Sequence, residues 1–486
     1  MFLGLYKPAE VIEEKGRDYF IAAHPKPRST RPSIIETVLS ARHSLIGNWT
    51  EDYYQSCVDQ FRILGRQVVF VNSPDWVRYV MATAHDNYER KSPQMRRALE
   101  GLLGDGLFIS DGPTWQMRRP LVADIIHKKR LPEFAPTMEN VTVAMVERWS
   151  GFSPGQTFNM TAEMAELTAE IISRAVFGRN LGASAAAQVI NGFTSYQKSI
   201  DSFNLGYFLG ADEGWPVFYG PAKRRSVAMV HSVVDGVINA HLAGDGDAGS
   251  MVDLLLKRNQ RSPGRELDVT ALRNEAATIF MAGHETTATT LTWAWYLLDN
   301  APWVADALRA EIDAVCGERT VTIDDLPQLD WCRSVIQETL RLYPPVPLLP
   351  RQARAADRIG DITVEKGALV MIAPWLLHRA GDLWDRPNHF LPERFLNDAR
   401  IEPYTFIPFS VGPRICAGLN FGLSEAILCL AILAQRFRVA VQPGYRVEPV
   451  CRLTLRPAGG LPVTVTPRSL EDRRAAAPAA SGVASA

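Results

Sequence analysis

Cysteine is scarce in this sequence, and the few cysteines are widely scattered. No two of them form a C-x-x-C pair, and none joins histidines at the spacing of a zinc site. This pattern excludes a disulfide-stapled secreted domain and a zinc finger, and it is typical of proteins in a reducing compartment. The six cysteines are Cys57, Cys316, Cys332, Cys416, Cys429 and Cys451.

The chain also lacks an excess of charge of either sign. It contains 52 lysines and arginines against 53 aspartates and glutamates, which leaves a formal net charge of -1. Proteins that bind nucleic acid concentrate positive charge, so this balance argues against a nucleic-acid partner. Any docking driven by charge must therefore use a local charged patch on the surface.

A long apolar run is missing from the start of the chain. The segment "MFLGLYKPAEVIEEKGRDYF" has only a short apolar stretch before its first charges. A membrane-spanning helix needs about 20 apolar residues, and a signal peptide also needs a longer apolar core than this. We expect a monomeric, cytoplasmic protein without a membrane anchor.

Helical patterns dominate what is present. From 74 to 344, apolar residues recur at 3.6-residue spacing between glycine and proline breaks. The longest stretch, from about Thr270 to Asn300, is apolar on most faces and predicts a central buried helix. A last apolar helix is predicted directly after Cys416. The pattern therefore indicates a mainly α protein.

A small β region accompanies these helices. The runs "FRILG" (61–65) and "QVVFVN" (67–72) predict a hairpin, and "DITVEKGALVMIA" (361–373) predicts further strands of the same sheet. One domain over 35–467 fits these patterns better than several domains. We expect a surface lead-in over 1–34 and a disordered tail over 468–486.

The stretch "PFSVGPRICAG", residues 408–418, contains the cysteine with the most informative surroundings. A thiolate at Cys416 would be favoured by the N-terminal end of the helix that follows it. Gly412 and Gly418 would allow the backbone to approach a flat, bulky group, and Arg414 could pair with an anion at its rim. A structural core cysteine is the commoner interpretation. A ligand of an iron porphyrin is the alternative.

The order of residues decides between these interpretations. The pattern F-x-x-G-x-R-x-C-x-G resembles the haem-binding signature of the cytochrome P-450 haem-thiolate monooxygenases. Upstream, "AGHETT" resembles the family's oxygen-activation motif, and "ETLR" followed by "PERF" resembles its carboxylate–arginine–arginine cluster (Glu338, Arg341 and Arg394). The motifs occur in the family's order over roughly 35–467.

The resemblance implies the cytochrome P-450 fold of a soluble, bacterial-type member, mainly α with a small β region. Haem b would lie between the long central helix and the cysteine-loop helix, with the Cys416 thiolate as axial ligand. The sequence departs from the family's pattern here, because one more residue than usual separates Arg351 from Asp357. Arg354 is therefore an alternative haem contact. The implied cofactor-binding residues are Trp115, Arg119, Ala282, Gly283, Arg351, Phe409, Gly412, Arg414 and Gly418.

The resemblance also implies an activity. Glu285 and Thr286 would deliver protons to iron-bound dioxygen, as an acid and an alcohol can do in general acid catalysis. The Thr286 hydroxyl is expected to bond the carbonyl of Ala282 and to open the helix there. A separate redox partner, a ferredoxin or a flavodoxin with its reductase, would supply two electrons. The expected reaction is hydroxylation of a lipophilic small molecule.

The substrate pocket is expected to be mostly apolar. Two rival functions remain: a peroxygenase or isomerase on the same fold, which usually lacks the Glu285–Thr286 pair, and a non-catalytic haem sensor. The residues expected to line the pocket are Ala276, Ala277, Phe280, Met281, Val346 to Leu349, and part of the loop near Leu102 to Phe108.

Overall fold

Helices make up most of the computed structural model. It describes residues 6–14, 17–178, 182–198, 220–261, 266–397, 399–451 and 453–469. The helices are α1 (Ile34–His43), α2 (Pro74–Arg78), α3 (His85–Tyr88), α4 (Pro93–Leu103), α5 (Gly112–Ile125), α6 (Leu131–Ser150), α7 (Met160–Phe177), α8 (Ala183–Lys198), α9 (Pro221–Leu242), α10 (Met251–Gln260), α11 (Val269–Asp299), α12 (Pro302–Cys316), α13 (Asp330–Leu342), α14 (Pro374–Leu377) and α15 (Leu419–Arg436).

The strands are short and lie in small sheets. They are β1 (Tyr6–Lys7), β2 (Glu10–Glu14), β3 (Arg17–Ile21), β4 (His24–Pro25), β5 (Cys57–Ile63), β6 (Arg66–Asn72), β7 (Phe158–Asn159), β8 (Leu349–Gln352), β9 (Asp357–Ile359), β10 (Ile362–Val364), β11 (Leu369–Ile372), β12 (Phe437–Val441), β13 (Pro449–Cys451), β14 (Leu455–Pro457) and β15 (Pro462–Pro467).

The predicted central helix is confirmed as α11, which has 31 residues and is buried over most of its length. Its first turn is capped by the Asp268 carboxylate, which accepts a hydrogen bond from the Ala271 N–H at 2.7 Å. Helix α12 then begins at Pro302, and Gly317 ends it with a φ of +58°. A residue in this left-handed conformation is usually glycine because it has no Cβ to clash.

The predicted hairpin is confirmed as β5 and β6, which pair antiparallel around a turn at Leu64 and Gly65. Strand β11 pairs in parallel with β6 and extends the sheet to the order β5-β6-β11-β8. The segment 361–373 therefore joins the sheet only through its second half, because its first half, β10, pairs with β9 instead.

Both ends of the folded region differ from expectation. The side chain of Phe20 is 1% exposed and packs against Tyr296 of α11, with ring centroids 5.6 Å apart. His24, expected in a surface lead-in, is also buried. At the other end, Arg468 is buried and its Nη2 lies 2.6 Å from the Asp313 carboxylate. Apolar packing and an ion pair thus bring both segments into the core; the predicted tail beyond 469 lies outside the described residues.

Helix α15 packs against α6, α11 and α13 and forms much of the core on one side of α11. Among the described helices, it alone is long and apolar enough to cross a membrane, and 67% of it is buried inside the protein. Its apolar character is that of a core helix.

Candidate functional site

A cavity of about 630 Å³ lies where α11, the loop before α15 and the loop between α4 and α5 meet. Its lining is mostly apolar. Cys416 lines it from the cysteine loop, and Ala282, Gly283 and Thr286 line it from α11. The fold therefore brings two sequence motifs that are more than a hundred residues apart to one internal space.

The thiol of Cys416 is open to the cavity and is otherwise surrounded by protein. The Cys416 backbone N–H donates to the carbonyl of Phe409 at 2.8 Å, which fixes the turn of the loop. Burial raises the pKa of the thiol, and a hydrogen bond from the Gly418 N–H opposes this by favouring the thiolate. The nearby charges of Arg119 and Lys91 act in the same direction as that hydrogen bond.

Two other cysteines lie close enough to this region to need comparison. Cys451, in β13, also lines the cavity. Cys429 lies in the middle of α15, where its sulfur is 3.3 Å from the hydroxyl of Thr142. Burial raises the pKa of both thiols, and a nearby carboxylate raises it further in each case: Glu285 for Cys451 and Glu425 for Cys429. The charge of Arg456 opposes these effects at Cys451. Cys416 differs from them because the groups that act on its thiol, the Gly418 N–H, Arg119 and Lys91, all favour the thiolate, with no carboxylate acting against them.

The two glycines of the cysteine loop have different reasons to be glycine. Gly418 lines the cavity, as expected. Gly412 does not: a Cβ placed on it would lie 2.0 Å from the carbonyl oxygen of Met81, and its φ is +72°. The close approach that Gly412 permits in this structure is therefore to the backbone of another segment.

Buried cations surround the cavity close to Cys416. Arg351 is 4% exposed, and burial lowers its pKa to about 9. Burial also lowers the pKa of Lys91, and both Arg351 and Arg414 add to this lowering. Neither Arg351 nor Lys91 pairs with a carboxylate among the described residues. Burying cations without counter-charge is costly, so this cluster fits an anionic ligand.

Arg414 lies in the same cluster and stacks its guanidinium over the ring of Trp115 at 4.5 Å. One of its nitrogens donates to the carbonyl of Ser110 at 2.8 Å, while Nε and Nη2 are buried and find no hydrogen-bond partner within the described chain. The Glu89 carboxylate is 3.8 Å away. With a soft thiol beside these orphaned donors, the residues fit an iron porphyrin with carboxylate side chains.

The open alternative between Arg351 and Arg354 is answered by their positions. Arg351 lines the cavity, as do Trp115 and Arg119. Arg354 instead lies at the surface, with half of its side chain exposed, and pairs with Glu89. Arg354 is therefore outside the site.

The Thr286 hydroxyl donates to the carbonyl of Ala282 at 2.8 Å, as expected. The predicted opening of the helix is wrong, because α11 is continuous through this segment. Gly283 has a packing role besides lining the cavity. A Cβ there would lie 2.8 Å from Cδ1 of Ile172, so the glycine lets α7 pack closely on α11.

The Glu285 carboxylate is held by a hairpin that the sequence did not connect with it. The hydroxyl of Thr454, between β13 and β14, donates to Oε1 of Glu285 at 2.5 Å. The guanidinium of Arg456 lies 4.0 Å from the same oxygen. The hairpin is itself tied to α11, since the Trp293 indole N–H donates to the carbonyl of Leu455 at 3.0 Å.

The apolar lining was predicted only in part. Met281, Val346 to Leu349, Leu107 and Phe108 line the cavity, but Ala276, Ala277 and Phe280 do not. Phe280 faces away from the cavity, where its ring contacts Phe177 and Phe193. Thr278 and Ile279 occupy the cavity side instead.

The expected charge cluster is present and buried. Glu338 and Arg341 are 0% exposed, with Nε of the arginine 2.6 Å from Oε2 of the glutamate. Arg394 approaches the same carboxylate at 3.5 Å. Arg341 also donates to the carbonyls of His378 and Pro387 at 2.8 and 2.7 Å. The cluster thus holds the irregular segment that leads to the cysteine loop.

The sequence and fold both match known proteins. A family model described as cytochrome P450 matches residues 15–462. Cyclooctatin synthase of Streptomyces melanosporofaciens is 31% identical over 419 residues, or 84% of this chain and 88% of that protein. A cytokinin hydroxylase of Arabidopsis thaliana is 31% identical over 400 residues, or 80% of this chain and 77% of that protein.

The crystal structure of the cytochrome P450DA heme domain superimposes with a TM-score of 0.74 and 25% identity, covering 86% of this chain and 91% of that one. The expected fold is therefore confirmed. The chain belongs to the cytochrome P450 family, and it is an oxidoreductase whose cofactor is haem with a cysteine thiolate ligand.

Proposed function

We propose that this cytochrome P450 hydroxylates a lipophilic small molecule with dioxygen and two electrons from a separate protein. The observation that carries the proposal is that Cys416 and five residues of the segment 282–287 of α11 line one mostly apolar cavity; the five are Ala282, Gly283, Glu285, Thr286 and Thr287. An apolar lining favours an apolar substrate. The similar proteins named as a hydroxylase and as carotene epsilon-monooxygenase, both from Arabidopsis thaliana, support the reaction type.

In this proposal the residues around the cavity bind and orient the cofactor. Haem with a thiolate ligand supplies dioxygen binding and oxygen transfer. Cys416 is the ligand, and the Gly418 N–H and the helix α15 that follows stabilise its charge. The residues proposed to bind or contact the haem are Lys91, Trp115, Arg119, Ala282, Gly283, Arg351, Phe409, Arg414 and Gly418.

Glu285 and Thr286 hold and move protons in this scheme. Thr286 presents a hydroxyl to the cavity, and Glu285 connects that region to Thr454 and to the half-exposed Arg456. A carboxylate that reaches both the cavity and a more exposed cation can exchange protons with solvent. The retained acid and alcohol favour the monooxygenase over a peroxygenase, an isomerase or a sensor.

A ferredoxin or flavodoxin with its reductase is the proposed electron source, and the protein is proposed to work as a cytoplasmic monomer. The experiment supplies the holoenzyme with a ferredoxin, its reductase and NADPH. A panel of lipophilic compounds is screened for a shift in the haem spin state, and compounds that bind are incubated under ¹⁸O₂. Product carrying one ¹⁸O atom supports the proposal. Turnover with peroxide but not with reduced ferredoxin would favour the peroxygenase.

Replacing Thr454 with valine should uncouple electron use from product formation. The substitution removes the hydroxyl that holds Glu285 and leaves the volume of the side chain nearly unchanged. A lost hydrogen bond of about 0.5–1.5 kcal/mol corresponds to a roughly two- to tenfold change in a rate. We expect product per NADPH consumed to fall by about that factor, with the CO spectrum unchanged.

The matched control is Thr292→Val. Thr292 is buried in α11 and donates to the carbonyl of Ala288, but it does not line the cavity. Its replacement should leave the coupling ratio within about twofold of the wild type. Equal ratios in both variants would refute a role for Thr454 in holding Glu285.

A further inference from the structure

An ion pair that the proposed function does not use lies beside the cavity. Nη1 of Arg118, in α5, is 2.8 Å from Oε1 of Glu275, in α11. The two side chains are 4% and 0% exposed, and neither lines the cavity. Charges removed from water are costly unless each is well paired. The other hydrogen bonds that Arg118 and Glu275 make therefore indicate which part of the structure this pair stabilises.

Both members of the pair bind the loop between α4 and α5. Arg118 donates to the backbone carbonyl of Asp105 at 3.0 Å, and its Nη2 lies 2.8 Å from the carboxylate of the same residue. Glu275 accepts the backbone N–H of Leu107 at 3.0 and 3.2 Å. Two consecutive turns of this loop are thus attached to one buried pair.

The loop also lies unusually close to α11. A Cβ on Gly104 would be 2.1 Å from Nδ2 of Asn274, and a Cβ on Gly106 would be 2.2 Å from the Thr278 hydroxyl. Side chains at these two positions would push the loop away from the helix. The glycines and the ion pair therefore act together to hold the loop against α11.

The residue bound by Glu275 is part of the cavity wall. Leu107 and its neighbour Phe108 both line the cavity, and the Lys91 ammonium lies 3.4 Å from the centre of the Phe108 ring. The far end of the loop is held separately, because Arg414 donates to the carbonyl of Ser110. The ion pair therefore controls the position of the first half of the loop.

We propose that Arg118 and Glu275 are positioning residues that fix Leu107 and Phe108 as a rigid wall of the substrate pocket. They thereby determine the affinity of the enzyme for bulky ligands. The affinity for a ligand that contacts only the iron does not depend on them. The proposal rests on the proposed function, since the ligand is observed through the haem iron.

The test measures binding of two probes to the ferric holoenzyme by difference spectroscopy. Imidazole needs only access to the iron, whereas 4-phenylimidazole also places a phenyl ring against the wall. In Glu275→Ala the Kd of 4-phenylimidazole should rise about tenfold, and that of imidazole should stay within about twofold. Glu275→Gln should recover most of the affinity, because its amide oxygen can still accept the Leu107 N–H and Arg118 keeps the Asp105 carboxylate as a counter-charge.

Asp313→Ala is the matched control. Asp313 and Arg468 form another buried carboxylate–arginine pair, at 2.6 Å, and neither residue lines the cavity. Loss of the Asp313 carboxylate should lower the melting temperature of the protein without changing the ratio of the two Kd values. The proposal would be overturned if Glu275→Ala weakened the binding of both probes by the same factor. It would also be overturned if Asp313→Ala changed the ratio of the two Kd values as much as Glu275→Ala does.

Hydrogen exchange of the Leu107 amide gives an independent readout. Its exchange should be at least about tenfold faster in Glu275→Ala than in the wild type, with the amides of α11 unchanged. Unchanged exchange would overturn the proposal. If the wild-type protein binds neither probe, the proposed function fails, and the exchange rate alone still decides whether the pair holds the loop.

Discussion

Replacing Cys416 with serine should abolish the absorption band of the reduced, carbon monoxide-bound protein that is characteristic of thiolate-ligated haem. A serine oxygen is a harder and weaker donor, so the electron density that favours O–O cleavage is lost. Replacing a residue that only supports a metal ligand typically lowers metal affinity or activity by about 10–100-fold. We expect loss of the proposed ligand to reduce hydroxylation by more than about a hundredfold.

Two serine variants are controls for this experiment. Cys451 lines the same cavity, and Cys429 lies 13 residues beyond Cys416, deep in α15. Cys451→Ser and Cys429→Ser should both keep the thiolate band, although each replaces a buried sulfur with a smaller, more polar oxygen and lowers stability. A normal band in Cys416→Ser, or its loss in Cys429→Ser, would contradict the assignment of the ligand.

Much of the site could be predicted because its motifs are local. The residues from Phe409 to Gly418 lie in one short loop, and Glu338 and Arg341 lie one turn apart on α13. Spacing alone places such residues together in any fold that forms these elements. The same holds for the hydrogen bond between Thr286 and Ala282, which stays within one helical turn.

The contacts that sequence reasoning missed join distant segments. Thr454 reaches Glu285 across 169 positions, and Arg118 reaches Glu275 across 157. One signal was available for Glu275, since a carboxylate in a largely apolar stretch of a buried helix needs a partner. Nothing in the sequence identified which of the 52 basic residues would be that partner.

The incorrect pocket residues have a different cause. Helix α11 is apolar on nearly every face, so its hydrophobic pattern does not say which side meets the cavity. Phe280 and Thr278 are two positions apart and therefore point to nearly opposite sides of a helix. The packing of α7 and α8 against Phe280 settles the orientation, and that packing is set by tertiary structure.

Replacing Glu338 with glutamine should destabilise the folded protein by about 3–5 kcal/mol, which is typical when one partner of a buried ion pair is removed. The change keeps the shape of the side chain but leaves the Arg341 charge, which is fully buried, without its carboxylate. Glu338 also accepts the backbone N–H of Leu391 at 2.9 Å. Loosening this attachment should speed haem loss, which can be measured by transfer of haem to an apoprotein acceptor.

The control lies on the same helix with the same spacing. Asp330 and Arg333 form an i,i+3 pair on α13, but the Asp330 side chain is 61% exposed. An exposed pair contributes about 0.2–1 kcal/mol, so Asp330→Asn should change urea unfolding little and leave haem retention unaltered. Similar losses in the two variants would mean that the buried cluster has no special role. A large difference would show that desolvation, rather than the motif's sequence alone, makes the Glu338 cluster essential for holding the segment before the cysteine loop.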